Sequence, residues 1–474
     1  MEANIEINDF DNLDINFDHV VNSSKDAYKG CIMMVNTEDS EQLNHFVEAG
    51  LSKEAEMIIT SKYCDIESEK VIKFENFDAV FNHALTKMLP KQRSLNFFGI
   101  TGTNGKTTTG HYLSQLLGEE TLLIGTTGYE LFKDVTNEVH LTTPKLFNIF
   151  KLLRGDEYKD IKNIILEVSS HALDQNRLKG IKFLISGFTN LSQDHLDYHK
   201  TIDEYFLAKQ KLFDKELSSQ YVYVDEKWGK DLNAVIDNKS YSVGISEDND
   251  LVLTSVEKNL NSTIVNFMVE NNEFSVELPI TGPKLELNYL LAVGMAYFSN
   301  QASMEKIVMN SRLLNNPEGR FENISFNEND IYIDYAHTPE AISEAIDIVK
   351  DKYSMVIVVL GAGGNRDSGK RKLMGKASNN ADKVIITNDN PRKENPMQIA
   401  KDILDGVDLN KDVEIILDRQ LAIRKGIELL QGDSALLVLG KGHEKTQELE
   451  KGLVDFQDSL VIQEIIKELK WLRQ

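Results

Sequence analysis

The feature that most constrains the fold is an apolar run that leads directly into a glycine-rich turn. Residues 95–100 are predicted to form a strand, residues 102–108 read Gly-Thr-Asn-Gly-Lys-Thr-Thr, and residues 111–117 are predicted to form a helix. A buried strand, a glycine turn and a helix in this order are typical of parallel α/β proteins, where the turn and the helix N-terminus bind phosphate. The sequence therefore predicts an α/β fold with a nucleotide site at this strand end.

The residues of this turn supply the predicted contacts to ATP or GTP. Lys106 can reach the terminal phosphates, and the Thr107 hydroxyl can hold a magnesium ion. The first glycine of the standard phosphate-loop pattern would fall at position 100, which is Ile100. The complete set of predicted turn contacts is Gly102, Thr103, Asn104, Gly105, Lys106, Thr107 and Thr108.

Length and charge limit the function classes. A chain of 474 residues is too long for one core, so two to four domains are expected. The net charge of −23, without a block of lysine or arginine, argues against nucleic-acid or anionic-membrane binding. We expect a cytoplasmic protein, because the acidic N-terminus does not resemble a signal peptide and no apolar run is long enough to span a membrane. Cys31 and Cys64 are expected to be reduced core residues.

The hydrophobic pattern predicts three domains, at residues 1–92, 93–313 and 314–474. In the second, strands at 95–100, 121–124, 161–168 and 183–189 alternate with helices, which indicates a parallel sheet. Short alternating strands between 221 and 280 predict an antiparallel patch, and a helix is expected at 288–298. In the third, the alternation resumes with strands at 331–333, 355–360, 383–387, 413–416 and 435–439.

Polar clusters follow two strands of the central region. Glu167 and Ser169 end one strand, and the segment 190–199, with Asp194 and His195, follows the next. The carboxyl ends of parallel strands meet at one edge of a sheet, where oxygen and nitrogen ligands suit Mg²⁺. A helix-capping carboxylate and a chance cluster of turn residues are the alternatives. Lys209, in a helix predicted at 204–213, would alone be a solvated side chain.

Nine motifs lie along the chain, at residues 102–108, 167–171, 194–199, 205–209, 319–322, 334–339, 363–371, 389–392 and 440–444. Taken together, they resemble the ATP-dependent Mur ligases of peptidoglycan synthesis, and among them the members that add the third amino acid. The resemblance covers roughly residues 95 to 460. It implies a small α/β N-terminal domain that binds the UDP-sugar, a central phosphate-loop ATPase domain with a mainly parallel sheet plus an antiparallel patch, and a Rossmann-like C-terminal domain.

The resemblance implies a ligase that phosphorylates the γ-carboxylate of UDP-MurNAc-L-Ala-D-Glu with ATP and transfers the acyl group to an amine. Lys106, Glu167, His195 and a carbamylated Lys209 would be catalytic, and Thr107, Glu167, His195 and Lys209 would hold Mg²⁺. Asn288 and Arg320 would contact ATP, and Asp334 and His337 lie near the same nucleotide. The UDP-MurNAc-dipeptide would contact Ser23, Thr142, Thr143, Ser169, Gln175 and Arg177.

The choice of amino acid is assigned to the tetrapeptide Asp389, Asn390, Pro391 and Arg392. In the family this motif marks enzymes for meso-diaminopimelate, with Arg366, Gly440 and Glu444 completing the pocket. An arginine fork binds a carboxylate through two hydrogen bonds, and L-lysine lacks the second carboxylate of diaminopimelate. Glu444 would pair with the distal ammonium group. The partners expected are therefore small molecules, and the chain is expected to act as a monomer.

Two positions depart from the family pattern, and several alternatives stay open. The N-terminal Asp-Ser-Arg of the family is Asn22-Ser23-Ser24 here, and an asparagine often found three residues before Asn288 is Leu285. An L-lysine-adding ligase and a folylpolyglutamate-synthase-like ligase use the same phosphate loop and carbamate. A nucleotide-dependent binding or regulatory protein without ligase activity is the alternative from another class.

Overall fold

The computed structural model describes residues 10–13, 15–37, 39–88, 94–131, 134–137, 142–259 and 261–472. The chain divides into two units. The first contains Met1–Leu95, Pro144–Lys162 and Arg177–Gly180, and the second contains Asn96–Thr143, Asn163–Asn176 and Ile181–Gln474.

The first unit is built on a parallel sheet of four strands in the order β1-β2-β3-β4. Cys31 and Cys64 are free and buried in its core, as the sequence predicts. Asp39 caps the first helix, since its side chain accepts a hydrogen bond from the Gln42 amide. The elements are β1 (Val20–Val21), β2 (Ile32–Met34), α1 (Ser40–Ser52), β3 (Met57–Ser61), β4 (Val71–Phe74), α2 (Phe77–Met88) and, later in the chain, α4 (Leu146–Leu152).

The second unit contains a sheet of eleven strands in the order β15-β14-β13-β12-β11-β10-β5-β9-β6-β7-β8. The strands are β5 (Asn96–Thr101), β6 (Thr121–Gly125), β7 (Gly128–Leu131), β8 (Asp134–Asn137), β9 (Asn163–Glu167), β10 (Ile185–Phe188), β11 (Tyr221–Val224), β12 (Ser240–Gly244), β13 (Leu251–Lys258), β14 (Thr263–Val269) and β15 (Asn272–Leu278). All pairs from β13 across to β6 are parallel.

The helices around this sheet are α3 (Lys106–Leu117), α5 (Ser170–Asp174), α6 (Leu196–His199), α7 (Ile202–Gln210), α8 (Lys227–Val235), α9 (Leu285–Phe298) and α10 (Met304–Ser311). Nearly every residue of α3 and α9 is buried, and their apolar residues belong to one core cluster. Helix α9 is mainly apolar, as expected of a helix inside a protein, whereas α3 also buries polar side chains, among them Thr109, His111 and Gln115. The phosphate-loop helix is therefore fixed within the core of this sheet.

A second sheet of the same unit has six strands in the order β16-β17-β21-β18-β19-β20. Its pairs are parallel except β16 with β17. Two separate core clusters belong to this part of the chain. The elements are β16 (Glu322–Phe326), β17 (Asn329–Asp334), α11 (Pro339–Lys350), β18 (Met355–Leu360), α12 (Arg371–Ala377), β19 (Lys383–Ile386), α13 (Pro396–Leu404), β20 (Asp412–Ile415), α14 (Arg419–Glu428), β21 (Ser434–Leu439), the hairpin β22 (Thr446–Leu449) and β23 (Gly452–Asp455), and α15 (Asp458–Leu472).

The structure confirms the α/β class and the alternation of strands and helices, corrects two boundaries and adds one antiparallel group. The helix after the glycine turn begins at Lys106 rather than at residue 111, because Gly105 already takes the left-handed conformation just before it. The antiparallel patch does not begin at residue 221, since β11 and β12 still pair in parallel and the antiparallel pairs are β13–β14 and β14–β15. A second antiparallel group, β6–β7–β8, forms the other edge.

The domain limits at 92/93 and 313/314 stay predictions, and the first of them lies outside the described residues. In the part of the chain that the structure describes, no helix is long and apolar enough to cross a membrane.

Candidate active site

The glycine-rich turn joins β5 to α3 in a form that only glycine permits at two positions. Gly102 has a φ of +150° and Gly105 a φ of +82°. A Cβ atom on Gly102 would lie 1.8 Å from the Thr189 hydroxyl, and one on Gly105 would lie 2.4 Å from the Asn288 side-chain oxygen. The turn is therefore packed tightly against its neighbours, with the N-terminus of a twelve-residue helix at its end. This arrangement fits the binding of phosphate groups.

Two lysines converge on the carbonyl oxygens of this turn. Lys106 Nζ donates to the oxygens of Gly102 and Thr103, both at 2.9 Å, and Lys209 Nζ donates to Gly102 at 2.8 Å. Burial lowers the pKa of Lys106, and burial together with the charge of Lys106 lowers the pKa of Lys209 well below its usual range. Asp194 opposes both shifts. A neutral Lys209 amine is the form that can react with CO₂, so the site fits the predicted carbamylation.

Glu167 ends β9 and is fully buried. Its two oxygens accept hydrogen bonds from the backbone amide of Thr126 at 2.9 Å and from the Thr126 hydroxyl at 3.0 Å. Gly125 permits this approach, because a Cβ atom there would lie 2.0 Å from the carboxylate. No role for Thr126 could be predicted from the sequence, because it follows the end of a strand that carries no acidic residue.

Three of the residues predicted for the dipeptide substrate cluster beside Glu167. The Thr143 hydroxyl donates to the Glu167 carbonyl at 2.7 Å and accepts from the Ser169 amide at 3.0 Å. The Thr126 and Thr142 hydroxyls lie 3.4 Å apart. Thr142, Thr143 and Ser169 therefore lie around the end of β9, near the Glu167 carboxylate. Of the other predicted contacts, Gln175 lies in this unit, whereas Ser23 and Arg177 belong to the first unit.

Asp194 connects the two sheets of the second unit. Its carboxylate lies 2.9 Å from Lys370 Nζ, 3.5 Å from His337 Nε2 and 3.6 Å from His195 Nε2. Burial alone would raise the pKa of Asp194, but the hydrogen bond from His337 and the charges of Lys370 and His195 hold it well below its usual range. Lys370 follows the glycine-rich loop after β18, and the sequence analysis gave it no role although it lies in a quoted motif. This network ties that loop to the end of β10.

Arg320 makes a second connection between the parts of the chain that contain the two sheets. Its Nη2 donates to the Thr107 hydroxyl at 3.1 Å, and its guanidinium lies over the Tyr335 ring at 4.4 Å. Its buried Nε has no hydrogen-bond partner among the described residues. Asp334 accepts from the amides of Phe321 and Ala336, both at 2.7 Å, and so orders the backbone next to Arg320.

These contacts border a cleft between the glycine turn and the six-stranded sheet. Its lining includes Asn104, Gly105, Thr108, Asn288, Arg320 and Asp334. An unpartnered guanidinium N–H and a helix N-terminus beside this cleft fit a nucleoside triphosphate, because both favour negative charge. The predicted ATP contacts are thus brought together in one place.

The tetrapeptide Asp389–Arg392 follows β19 and packs against the loop after β21. A Cβ atom on Gly440 would lie 2.6 Å from the Asp389 carboxylate, so this glycine permits the close approach of the two loops. Asn390 Nδ2 donates to Glu444 at 2.8 Å. Lys441, which is fully buried and was missed by the sequence analysis, also donates to Glu444 at 2.8 Å. The structure therefore gathers Asn390, Arg392 and Glu444, whereas the Arg366 side chain lies on an exposed loop beside them.

The predicted metal ligands do not form a ready cluster. Among the described residues, no three His, Cys, Asp or Glu side chains are grouped so that they could hold a metal ion. The side chains of segment 190–199 contact different partners, since Asp194 faces Lys370 and His199 Nε2 lies 2.8 Å from the Ser170 hydroxyl. Mg²⁺ keeps several waters and binds through one or two protein groups together with substrate phosphates. The Thr107 hydroxyl and the Glu167 carboxylate supply such groups, so the site fits a magnesium ion that arrives with ATP.

Comparison with known proteins agrees with this geometry. A family model described as the Mur ligase middle domain matches residues 100–296, and one described as the Mur ligase glutamate ligase domain matches residues 319–442. A protein of Rickettsia montanensis named UDP-N-acetylmuramoyl-L-alanyl-D-glutamate--2,6-diaminopimelate ligase is 35% identical over 438 residues, which is 90% of each chain. A protein of the same name from Aquifex aeolicus is 37% identical over 383 residues, covering 80% of this chain and 78% of that protein.

Solved structures of related enzymes share the fold. A structure of a UDP-N-acetylmuramoyl-L-alanyl-D-glutamate--2,6-diaminopimelate ligase superposes with a TM-score of 0.67 at 26% identity, covering 99% of this chain and all of the other. The MurF ligase of Thermotoga maritima in complex with ADP gives the same TM-score at 17% identity, over 97% of this chain and all of the other. With two family models and relatives above 30% identity along most of its length, the chain belongs to the Mur ligase family.

Proposed function

We propose that this chain is an ATP-dependent ligase that adds meso-diaminopimelate to UDP-MurNAc-L-Ala-D-Glu in the synthesis of peptidoglycan precursors. The observation that carries the proposal is the place of Thr126. It holds both oxygens of Glu167, and it also lines the pocket that contains Asn390, Arg392 and Glu444. The amino-acid pocket therefore opens beside the strand end where the phosphate chemistry is expected. The relatives named as diaminopimelate ligases support the same assignment.

The chemistry requires a carboxylate to meet a triphosphate, so the protein must offset the repulsion between them. Arg320 lines the cleft, and Lys106 follows Gly105, which also lines it, so these two side chains are the cations that we assign to the phosphates. The γ-phosphoryl group passes from ATP to the D-glutamate γ-carboxylate and gives an acyl phosphate and ADP. The amine of the second substrate then attacks the acyl carbon, and the tetrahedral intermediate collapses with loss of phosphate. Holding the reactants in place contributes most of the remaining acceleration.

Thr107, Glu167, His195 and a carbamylated Lys209 are the groups that we assign to magnesium. When bound, the ion would neutralise charge on the phosphate oxygens. Carbamylation converts the Lys209 ammonium into an anionic oxygen ligand, and the lowered pKa of Lys209 supplies the neutral amine that this reaction needs. Partial burial also lowers the pKa of His195 to about 4, so its imidazole is neutral and able to act as a ligand at physiological pH.

The remaining assignments follow from the same proposal. The residues assigned to the UDP-MurNAc-dipeptide are Ser23, Thr142, Thr143, Ser169, Gln175 and Arg177. Asn288 would contact the nucleotide base. Domain limits at 92/93 and 313/314 separate a UDP-binding, an ATP-binding and an amino-acid-binding domain. Since ATP and the UDP-linked dipeptide are cytoplasmic compounds, we place the enzyme in the cytoplasm, where it would act as a monomer on small molecules.

The test is phosphate release from ATP with UDP-MurNAc-L-Ala-D-Glu and a panel of amino acids. We expect release only when the dipeptide and meso-diaminopimelate are both present. Omission of the dipeptide is the control for simple ATP hydrolysis. Release with L-lysine at the same rate would favour the lysine-adding alternative. Release with a folate substrate and glutamate would favour the folylpolyglutamate-synthase-like alternative, and none with any amino acid would favour a binding or regulatory protein.

A further inference from the structure

The guanidinium group of Arg392 is already paired with a carboxylate of this chain. Its Nε donates to Glu448 Oε2 at 2.7 Å, and its Nη1 donates to the Gly364 carbonyl at 2.9 Å. Its third nitrogen, Nη2, has no partner within the described ranges. A carboxylate that binds an arginine side-on uses the edge formed by Nε and Nη2. Glu448 therefore occupies half of the edge that a substrate carboxylate would use.

Backbone contacts hold Glu448 in this place. Its amide donates to Asn390 Oδ1 at 2.8 Å, and its carbonyl accepts from the Arg392 amide at 3.0 Å. The neighbouring Gln447 side chain donates to the Asp389 carbonyl at 2.6 Å. Strand β22 is thereby fastened to the tetrapeptide on both sides of Glu448. The Glu448 side chain is about half exposed, so its carboxylate can turn to solvent at little cost when another anion arrives.

The other acidic group of the pocket does not compete for Arg392. Glu444 receives hydrogen bonds from Lys441 and Asn390, both at 2.8 Å, and the pocket lining also includes Lys445. Glu448 is thus the group that neutralises Arg392 in this structure. We propose that Glu448 is a specificity-determining residue that stands in for the second carboxylate of the amino acid and so weakens the preference for diaminopimelate over L-lysine.

The reason lies in what each substrate leaves unpaired. When L-lysine binds, Arg392 keeps Glu448, so the penalty for a half-buried and unpaired guanidinium is avoided. When diaminopimelate binds, its distal carboxylate must displace Glu448 or lie beside it. Either event costs part of the binding free energy that the carboxylate gains by pairing with Arg392. Selectivity between the two amino acids arises largely from the free-energy penalty on binding of the wrong one, here L-lysine, and Glu448 reduces that penalty. This inference rests on the proposed function.

The test is Glu448→Gln, with kcat/KM measured for meso-diaminopimelate and for L-lysine by product formation. We expect the ratio of the two values to rise by about two- to five-fold, the range that a partly exposed ion pair is worth. The rise should come from a lower KM for diaminopimelate or a higher KM for lysine, with kcat unchanged. Glu450→Gln is the matched control, because it removes one exposed negative charge from the same hairpin, and its ratio should equal that of the wild type.

A double-mutant cycle separates a charge effect from a structural one. In an Arg392→Gln background, Glu448→Gln should leave the ratio unchanged, because the cation that Glu448 neutralises is gone. A lower ratio or a fall in kcat/KM for both substrates in Glu448→Gln would show that Glu448 positions Arg392 or binds an ammonium, and would overturn the inference. If the wild type forms product with diaminopimelate and the ratio does not change, the inference alone fails. If the wild type forms product with neither amino acid, the proposed function fails and the inference falls with it.

Discussion

Replacement of Lys370 by methionine tests the connection between the two sheets of the second unit. The Lys370 ammonium is buried and lies 2.9 Å from the buried Asp194 carboxylate. Removal of one partner from a buried ion pair costs about 3–5 kcal/mol. We take the lower end, about 3 kcal/mol, because two imidazoles, those of His337 and His195, also face this carboxylate.

We expect the free energy lost with this ion pair to lower the catalytic efficiency rather than the stability against unfolding. Asp194 lies in the part of the chain with the eleven-stranded sheet and Lys370 in the part with the six-stranded sheet, so separation of the two parts would return Asp194 to water. We therefore expect Lys370→Met to weaken the contact between these two parts, with a fall in kcat/KM of about 10²-fold, which is 3 kcal/mol at 1.36 kcal/mol per tenfold change. Lys372→Met, on the exposed side of α12, is the control and should keep full activity.

The pH dependence provides a second readout of the same pair. Because the folded-state pKa of Asp194 is depressed, its stabilising contribution is present above the unfolded value, about 3.9, and is lost as the pH falls towards the folded value. In Lys370→Met the pKa of Asp194 in the folded protein should rise. The fall in kcat/KM on acidification should therefore begin at a higher pH than in the wild type. The assay is phosphate release between pH 4 and pH 8 with thermal unfolding in parallel. An unchanged kcat/KM, or a large fall in melting temperature at constant kcat/KM, would refute the reasoning.

Three further predictions concern single sites. Lys209→Ala should lower ligation by about 10²- to 10³-fold without a change in circular dichroism, and short carboxylic acids should restore part of the rate; normal rates in magnesium would exclude the carbamate. Arg392→Lys should lose most of the preference for meso-diaminopimelate in the same kinetic assay, since an ammonium cannot reproduce the planar fork, and retention of that preference would contradict the assignment. Asp458→Asn should destabilise the fold by about 3–5 kcal/mol in urea titration, because it leaves the fully buried Arg419 guanidinium with an incomplete partner; a change below about 1 kcal/mol would contradict it.

The local parts of the site could be predicted from the sequence. The glycine turn is recognisable because its special backbone conformations require glycine at positions 102 and 105, and the same strand-to-helix turn fixes Lys106 and Thr107. Glu167 could be placed near that turn because the ends of adjacent parallel strands share one edge of the sheet. Both inferences need only short segments and the geometry of a parallel sheet.

Contacts between distant segments could not be predicted in this way. Lys370 meets Asp194 across 176 positions of sequence, and Arg392 meets Glu448 across 56. Each depends on how one sheet packs against another or how a hairpin folds onto a loop, and neither leaves a periodic signal. The sequence places the start of the antiparallel patch too early, at residue 221, for a similar reason. Strands β11 and β12 have only four and five residues, and the direction in which they pair depends on their neighbours rather than on their own residues.

The proposed function requires that the enzyme select an amino acid with a second carboxylate and join it to the dipeptide precursor. The most direct measurement is a competition in which equal concentrations of meso-diaminopimelate and L-lysine are incubated with enzyme, ATP, Mg²⁺ and UDP-MurNAc-L-Ala-D-Glu, and the products are separated by mass. We expect the diaminopimelate product to exceed the lysine product by about 10²-fold. Equal amounts of both, or an excess of the lysine product, would contradict it.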